Sequence, residues 1–505
     1  MNNPIVWSVG GSDADAGRDS EMFEAFEVRG HQAFATHAAA HSFTSGQAQP
    51  VPQASLQTRL DALGLDAPPQ VIKTGVLGSV ENLKLVLHCI DRLRQQRRTA
   101  VVMGPLLHAH SAFQAGEHEA MRVALIAELL PRATLVTLGV AEAAWLLQQG
   151  AAVGRDNPQS LAADLRALGA QGVVIVGTEN PPFAWDWLDT PQASGWLSLP
   201  NTGRQRPEDS AYRFAASAAA ALALGFCHAD AAVLAKMSIS RDSPTDAASR
   251  SHIGFGLNAA ALPFLQTELA SAATSFAALS NAWLGLYPVV DSSASVERVL
   301  KAGVRTVQLR IKEASTANLG QEIQRSVRAA SAVNAQLFIN DHWQLALEHG
   351  AYGVHLGQQD IQTADLNALR SAGLRLGLSS HCFWEVCRAH ALGPSYIACG
   401  PIHATTTKDM PWWPQGAGNL AYWCTVLQTP VVAIAGMDVN RSIEAVRCGA
   451  AGVAVLRGIT QVADPEAAIA QLTAAVNQGR RAERLMPPAL PRSTLSGPVP
   501  PGWRA

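Results

Sequence analysis

Gln308, Arg310 and Lys312 lie two residues apart in the run TVQLRIK. On an extended strand that spacing sets all three on one face. A dry core would penalise three long polar side chains. A strand end that opens on a pocket would instead make them an anion clamp; the solvated face of an edge strand is the plainer alternative. Asn340 and Asp341 close the apolar run QLFIND, and Asp360 follows YGVHLGQQ. Two carboxylates beside an Arg/Lys cluster suit a Mg²⁺ ion shared with phosphate oxygens of a substrate, although either Asp alone would serve equally as a helix cap. Thr405-Thr406-Thr407-Lys408 offers consecutive hydroxyls and an ammonium group, all donors to phosphate oxygens. Ser379 ends another apolar run. Gly436 and Gly458 fall where backbone N–H groups at a helix start can hold phosphate, or where a tight turn is needed. His355, His381 and His403 have no carboxylate at ligand spacing and read as structural or pocket-lining. Trp412 and Trp413 either cover the pocket or pack.

These residues share a position: each follows a short apolar, β-branched run. The runs are 284–291, 306–311, 336–341, 352–357, 374–380, 396–402, 430–436 and 452–458, and helical patterns such as VERVLKAG and VNRSIEAVRCG lie between them. Several of these patterns end on glycine after a basic residue, a helix stop signal. Eight parallel strands with short crossovers predict a (β/α)8 barrel over residues 284–475, with its chemistry at the C-terminal strand ends. An open doubly wound sheet is the alternative. Residues 1–237 also alternate (VWSVGG, QVIKTGVLG, RTAVVMGP, ATLVTLG, GVVIVG) and predict an open α/β sheet with helices on both faces. A polar linker follows within 238–283, then a helix-like run from 256 to 283 that docks between the domains or under the barrel floor. Residues 476–505 turn basic and then proline-rich, which predicts a disordered tail.

The chain has 505 residues with 48% hydrophobic and 15% charged. Such a chain can build two or more cores and is not of disordered composition. A net charge of -2 gives no footprint for nucleic acid or an anionic membrane. The 7 cysteines are scattered, with no C-x-x-C pair, which speaks against a zinc ribbon or a full disulfide framework. No signal-like or bilayer-length apolar segment is evident, so the expected setting is cytoplasmic and the expected partners are small molecules. Self-association is left open.

The motifs VQLRIK, FINDHWQLALEHGAYGVHLGQQD, LGLSSH, CGPIHATTTKD, PVVAIAGM and GVAVLRGI resemble, in order and spacing, those of thiamine-phosphate synthases. The resemblance covers about residues 284–475. It implies that Gln308, Arg310, Lys312, Asn340, Ser379, Thr405, Thr407, Lys408 and Gly436 bind the substrates, and that Asp341 and Asp360 hold Mg²⁺. It also implies that hydroxymethylpyrimidine diphosphate and thiazole phosphate are joined, with Arg310, Lys312 and Lys408 stabilising the departing diphosphate. Three positions depart from the family pattern. Ile311 replaces an acidic residue, Ala435 the first of two glycines, and Arg457 a frequent serine. The related thiazole tautomerases are expected to lack much of this charged set.

GGSD at 10–13, VIKTGVLGS at 71–79, VVMGPLLHAHSA at 101–112 and ATLVTLGVAEAAWLL at 133–147 resemble hydroxymethylpyrimidine (phosphate) kinases of the ribokinase-like fold. The departures fall on phosphate handling. The glycine-rich stretch is shortened to ADAG; Gly104 and His110 stand where aspartate and lysine are expected; Leu138-Gly139 replaces Pro-Asn, although Glu142 is kept. Asp209, Ser210, Ala211 and Tyr212 replace the Gly-Thr-Gly-Cys anion hole. Side chains there block close approach to a phosphoryl group. The expectation is therefore a synthase barrel with a degenerate kinase-like domain. A bifunctional kinase–synthase and a non-catalytic sensor of thiamine intermediates are the alternatives.

Overall fold

The structure is a computed structural model describing residues 3–11, 13–37, 49–106, 115–149, 157–180, 183–200, 210–239, 259–268, 274–312, 316–405, 411–488 and 491–495. The chain divides into two compact units, 1–256 with 260–269 and 496–504, and 257–259 with 270–495 and 505.

The first unit contains β1 (Ile5–Val9), β2 (Arg29–Ala33), β3 (Thr36–His37), β4 (Gln49–Pro50), β5 (Val71–Thr74), β6 (Ala100–Met103), β7 (Leu135–Gly139), β8 (Val173–Asn180), β9 (Phe183–Asp189), β10 (Ser194–Pro200) and β11 (Phe264–Gln266). Nine of them form one sheet in the order β11-β10-β9-β8-β7-β6-β5-β1-β2, while β3 and β4 pair separately. From β8 to β2 the sheet is parallel; its inner strands are largely apolar, as strands covered on both faces are, whereas the edge strand β2 (RGHQA) is polar and partly exposed. The β8–β9, β9–β10 and β10–β11 pairs are antiparallel. Trp196 packs edge-on against Trp185 and Trp187 in this extension. Helices Ser210–Ala223 and His228–Ile239 are alanine-rich and buried almost all round. Lys236 and Asp186 form a buried ion pair of 2.6 Å between the second of these helices and β9.

The second unit is a closed barrel of β12 (Gly285–Val290), β13 (Thr306–Leu309), β14 (Gln336–Asn340), β15 (Gly353–Leu356), β16 (Arg375–Ser380), β17 (Tyr396–Cys399), β18 (Val431–Ile434) and β19 (Gly452–Val455). Every neighbouring pair, β19–β12 included, is parallel. The expected (β/α)8 barrel is thus the fold, and each apolar run is a strand. Its lumen is filled by Tyr287, Phe338 and Tyr396 with aliphatic neighbours. Gly377 makes room for this filling, since a Cβ there would lie 2.1 Å from the Tyr396 ring.

Three expectations need correction. The run 256–283 is not the expected helix: among its described residues only the 3₁₀ turn Ala259–Ala261 is helical, Phe264–Gln266 pairs with β10 at the edge of the first sheet, and 274–283 has no regular secondary structure. Its polar groups are taken by the barrel instead. Phe276 N–H donates to the Gly393 carbonyl, the Ala277 carbonyl accepts from Ser395, and Asn281 exchanges hydrogen bonds with Gln336. Those partners sit at the N-terminal strand ends, so the segment does lie under the barrel floor. The tail is also not disordered over its described part. Helix Pro465–Arg481 runs well past residue 476, and the segment after it is bonded to the barrel, with Leu495 buried. The third concerns β13, which ends at Leu309, so Arg310 and Lys312 are on the following loop and only Gln308 is on the strand.

Candidate active site

The C-terminal ends of the barrel strands converge on one mouth. Gln308 is the penultimate residue of β13, Asn340 ends β14, and Asp341 follows it. Asp360 opens a turn of 3₁₀ helix after β15, and Ser379 is the penultimate residue of β16. Thr405 follows β17, Gly436 follows β18 and Arg457 follows β19. Thr407 and Lys408 lie outside the described residues. Lys312 is exposed on the loop after β13, while Arg310 is half-buried.

Asp341 and Asp360 face each other closely enough to interact. Although Asp341 is exposed by surface area, partial desolvation of its carboxyl and the Asp360 charge push it above the usual carboxylate range, against the opposing pull of an Asn340 hydrogen bond and the Arg310 charge. Asp341 also has a left-handed backbone, with φ 62°. The strand therefore turns sharply at the residue that carries the carboxylate. Asp360 Oδ2 accepts from Gly357 N–H at 3.1 Å, which fixes its rotamer. Among the described residues no group of three His, Cys, Asp or Glu side chains could enclose a metal ion. Two carboxylates in mutual repulsion nevertheless fit Mg²⁺, which keeps waters and binds through one or two carboxylates plus substrate phosphates.

A buried polar chain lies beneath the mouth. Gln308 Nε2 donates to Tyr287 Oη at 3.3 Å, the Tyr287 and Tyr396 hydroxyls are 2.8 Å apart, and Tyr396 Oη is 2.7 Å from His355 Nδ1. His355 Nε2 lies 2.9 Å from Ser379 Oγ, and Gln358 Nε2 donates to the Ser379 carbonyl at 2.7 Å. Burial, with the Arg310 charge, pushes His355 down to about 4, so the ring is neutral near pH 7 and one nitrogen accepts. Gln308 and Ser379, expected to bind substrate, are thereby held from below by one continuous network. Tyr287, Tyr396 and Gln358 hold these side chains from below, a part the sequence reading did not assign to them. The usable signal was a tyrosine inside an apolar barrel strand, whose hydroxyl needs a partner when buried. His381 instead pairs with Glu385 at 2.7 Å and stacks on Trp412 at 4.0 Å.

Two departures from the family pattern have visible consequences. Arg457 Nη2 lies 3.4 Å from Thr405 Oγ1, so its guanidinium is directed across the mouth toward the loop after β17. Ala435 adopts φ 81° immediately before Gly436 at φ 70°.

In the first unit, a cleft at the ends of β1, β2 and β5 is lined by Ser8, Asp19, Gln32, Phe34, Lys73 and Tyr212, among others. The strand order reverses at β1, where open α/β sheets place ligands. Asp19 is buried; its Oδ2 accepts from Ser8 at 2.5 Å and pairs with Lys73 at 2.8 Å, while Oδ1 has no partner among the described residues. Tyr212, one of the anion-hole replacements, has its ring 5.9 Å from Lys73 Nζ. Gly104 has φ 124°, and a Cβ there would lie 2.1 Å from the Thr137 carbonyl oxygen. Glu142 is spent on the backbone, accepting from Leu106 N–H and Gly139 N–H, and burial pushes it up to about 7. His110 and Asp209 lie outside the described residues.

Residues 286–459 match the family model of thiamine monophosphate synthase. A thiamine-phosphate synthase from Salmonella dublin is 50% identical over 190 residues, which is 37% of this chain and 90% of that protein. The chain belongs to the thiamine-phosphate synthase family. The synthase of Klebsiella pneumoniae is 48% identical over 197 residues, 39% of this chain and 93% of its own length. Residues 10–249 match the family model of phosphomethylpyrimidine kinase. Among solved structures, thiamine phosphate pyrophosphorylase from Pyrococcus furiosus is 26% identical at a TM-score of 0.36, covering 39% of this chain and 98% of that one. Pyridoxal kinase from Staphylococcus aureus with AMP-PCP and pyridoxal is 21% identical at a TM-score of 0.42, covering 49% and 91%. No described helix is long and apolar enough to cross a membrane.

Proposed function

We propose that the barrel joins hydroxymethylpyrimidine diphosphate to thiazole phosphate, giving thiamine phosphate and pyrophosphate. The observation that carries this reading is the gathering of Gln308, Arg310, Asn340, the Asp341–Asp360 pair and Ser379 at one barrel mouth. The bond between the exocyclic carbon and the diphosphate oxygen breaks, with both electrons leaving on oxygen. The thiazole nitrogen then donates its lone pair to that carbon. No proton has to move, which agrees with a mouth built from cations, amides and hydroxyls rather than from a nucleophile–base pair. Arg310, with Lys312 and Lys408, would stabilise charge developing on the leaving diphosphate. Gln308 and Ser379, fixed by the tyrosine–histidine chain, would orient the pyrimidine. Mg²⁺ held by Asp341 and Asp360 would supply charge compensation to the diphosphate when bound. Gly436 and Arg457 would take the thiazole phosphate.

For the first unit, we read a pocket that binds without phosphorylating. Tyr212 in the cleft, the closed space at Gly104 and the use of Glu142 as a backbone cap support this reading. A bifunctional kinase–synthase is the second reading, favoured by the kinase family match and by the open acceptor Asp19 Oδ1 in the cleft. ATP-dependent phosphorylation of hydroxymethylpyrimidine or its monophosphate by the full chain decides between them. Turnover would establish the second reading, and its absence alongside active synthase would establish the first.

A further inference from the structure

The segment after helix Pro465–Arg481 climbs one side of the barrel from floor to mouth. At the floor, Leu485 N–H donates to the carbonyl of Arg447, the last residue of helix Val439–Arg447, and Arg447 Nε donates to the Glu483 carbonyl. Arg484 donates to the carbonyl of Cys424 near the end of helix Gly416–Val426. Nearer the mouth, Asn419 holds residue 492 reciprocally: its Oδ1 accepts from Arg492 N–H at 2.9 Å and its Nδ2 donates to the Arg492 carbonyl at 2.8 Å. The Arg492 guanidinium caps the carbonyls of Pro414 and Gln415. At the top, buried Thr494 touches two active-site loops. Its carbonyl accepts from Trp413 N–H at 2.7 Å, and its hydroxyl donates to the His381 carbonyl at 2.7 Å.

The two loops joined in this way matter to the site. His381 lies two residues after Ser379, and its ring stacks on Trp412. Trp412 and Trp413 follow Thr405–Lys408 after three intervening residues in the sequence. Gln415 anchors this stretch to the barrel wall through the Pro401 and Gly400 carbonyls. The family match ends at residue 459, so this strap lies beyond it.

We propose that residues 482–488 and 491–495 act as a clasp for the synthase site, with Thr494 a positioning residue that fixes the loops after β16 and β17. The proposal rests on the barrel reading above. Without the clasp, Trp413 N–H and the His381 carbonyl lose their partners, and residues 411–415, which follow Lys408 in the chain, are held less firmly. The cost should therefore fall on capture of the diphosphate substrate.

The test compares the full chain, Thr494→Val, Thr494→Ser and a chain ending at Pro488, using amide hydrogen exchange and steady-state kinetics. Loss of one hydrogen bond in Thr494→Val is expected to speed exchange over 381–384 and 411–416 by roughly fivefold, and truncation by more than about tenfold. The KM for the pyrimidine diphosphate is expected to rise by similar factors, with the KM for the thiazole phosphate changing less, and Thr494→Ser restoring both. Unchanged exchange in both loops after truncation would overturn the clasp. Faster exchange with unchanged kinetics in an active enzyme would overturn its role at the site. If the full chain forms no product, the barrel reading fails, and the exchange data alone judge the clasp.

Discussion

Ala435 and Gly436 both adopt left-handed backbone at the turn after β18, with φ 81° and 70°. Only one of them has the residue suited to it. An alanine in that region costs about 1–2 kcal/mol relative to the right-handed helical region. Glycine relieves this cost but gains freedom in the unfolded chain, which returns about 0.4–1 kcal/mol. Ala435→Gly should therefore stabilise the barrel by a net of about 0.5–1 kcal/mol, a rise of roughly 1–4 °C in Tm for a unit of this size. The mirror substitution should fail. A Cβ on Gly436 would lie 2.7 Å from His403 Cβ and 3.0 Å from the Ala404 carbonyl oxygen, in addition to the backbone cost. Gly436→Ala is thus expected to lose at least about 2 kcal/mol, or roughly 4–8 °C. Scanning calorimetry of the full chain reads both. A neutral or destabilising Ala435→Gly, or a harmless Gly436→Ala, would refute this reading of the turn.

Other outcomes follow from the same geometry. Arg457→Ser removes a cation aimed across the mouth and should raise the KM for thiazole phosphate about tenfold or more, leaving that for the pyrimidine diphosphate nearly unchanged; equal changes in both would contradict its assignment. Because the Asp360 charge helps to raise Asp341, Asp360→Asn should move the acid limb of residual synthase activity to lower pH as well as reduce kcat. An acid limb left where it was would deny the coupling. Glu142 binds its proton more tightly folded than unfolded, so its linkage favours the folded state below about pH 4.5 and that stability is lost as pH rises through about 7. The loss is of order 3 kcal/mol, and urea unfolding of Glu142→Gln between pH 5 and 8 should show a shallower decline than the native chain. Lys236→Met strands the buried Asp186 charge and should destabilise the first unit by about 3–5 kcal/mol in the same assay.

The barrel was legible because strands buried on both faces are written as near-continuous apolar runs, with polar residues gathered at their ends. That contrast singled out Gln308, Asn340, Asp341, Asp360 and Ser379, which the structure has at or just after the C-terminal strand ends. It overextended β13, since a polar residue every second position looks alike whether the strand continues or has ended at Leu309. The Tyr287–Tyr396–His355 chain was hidden for the opposite reason: its members sit within apolar strands and resemble ordinary core. In the first unit, β9 to β11 escaped notice because the reading followed βα alternation, and β11 is supplied from beyond the helices that separate it from β10. The tail misled through its composition. Proline and arginine usually signal a solvated segment, yet here Arg484 and Arg492 are the groups that fasten it to barrel carbonyls.

The most direct measurement supplies the purified full chain with thiazole phosphate and Mg²⁺, and reads thiamine phosphate formed from either hydroxymethylpyrimidine diphosphate or the monophosphate with ATP. Product from the diphosphate alone is the expected result: an active barrel beside a unit that does not phosphorylate. Product from the monophosphate and ATP would contradict the reading of Tyr212 and Gly104, and no product from either would contradict the synthase itself.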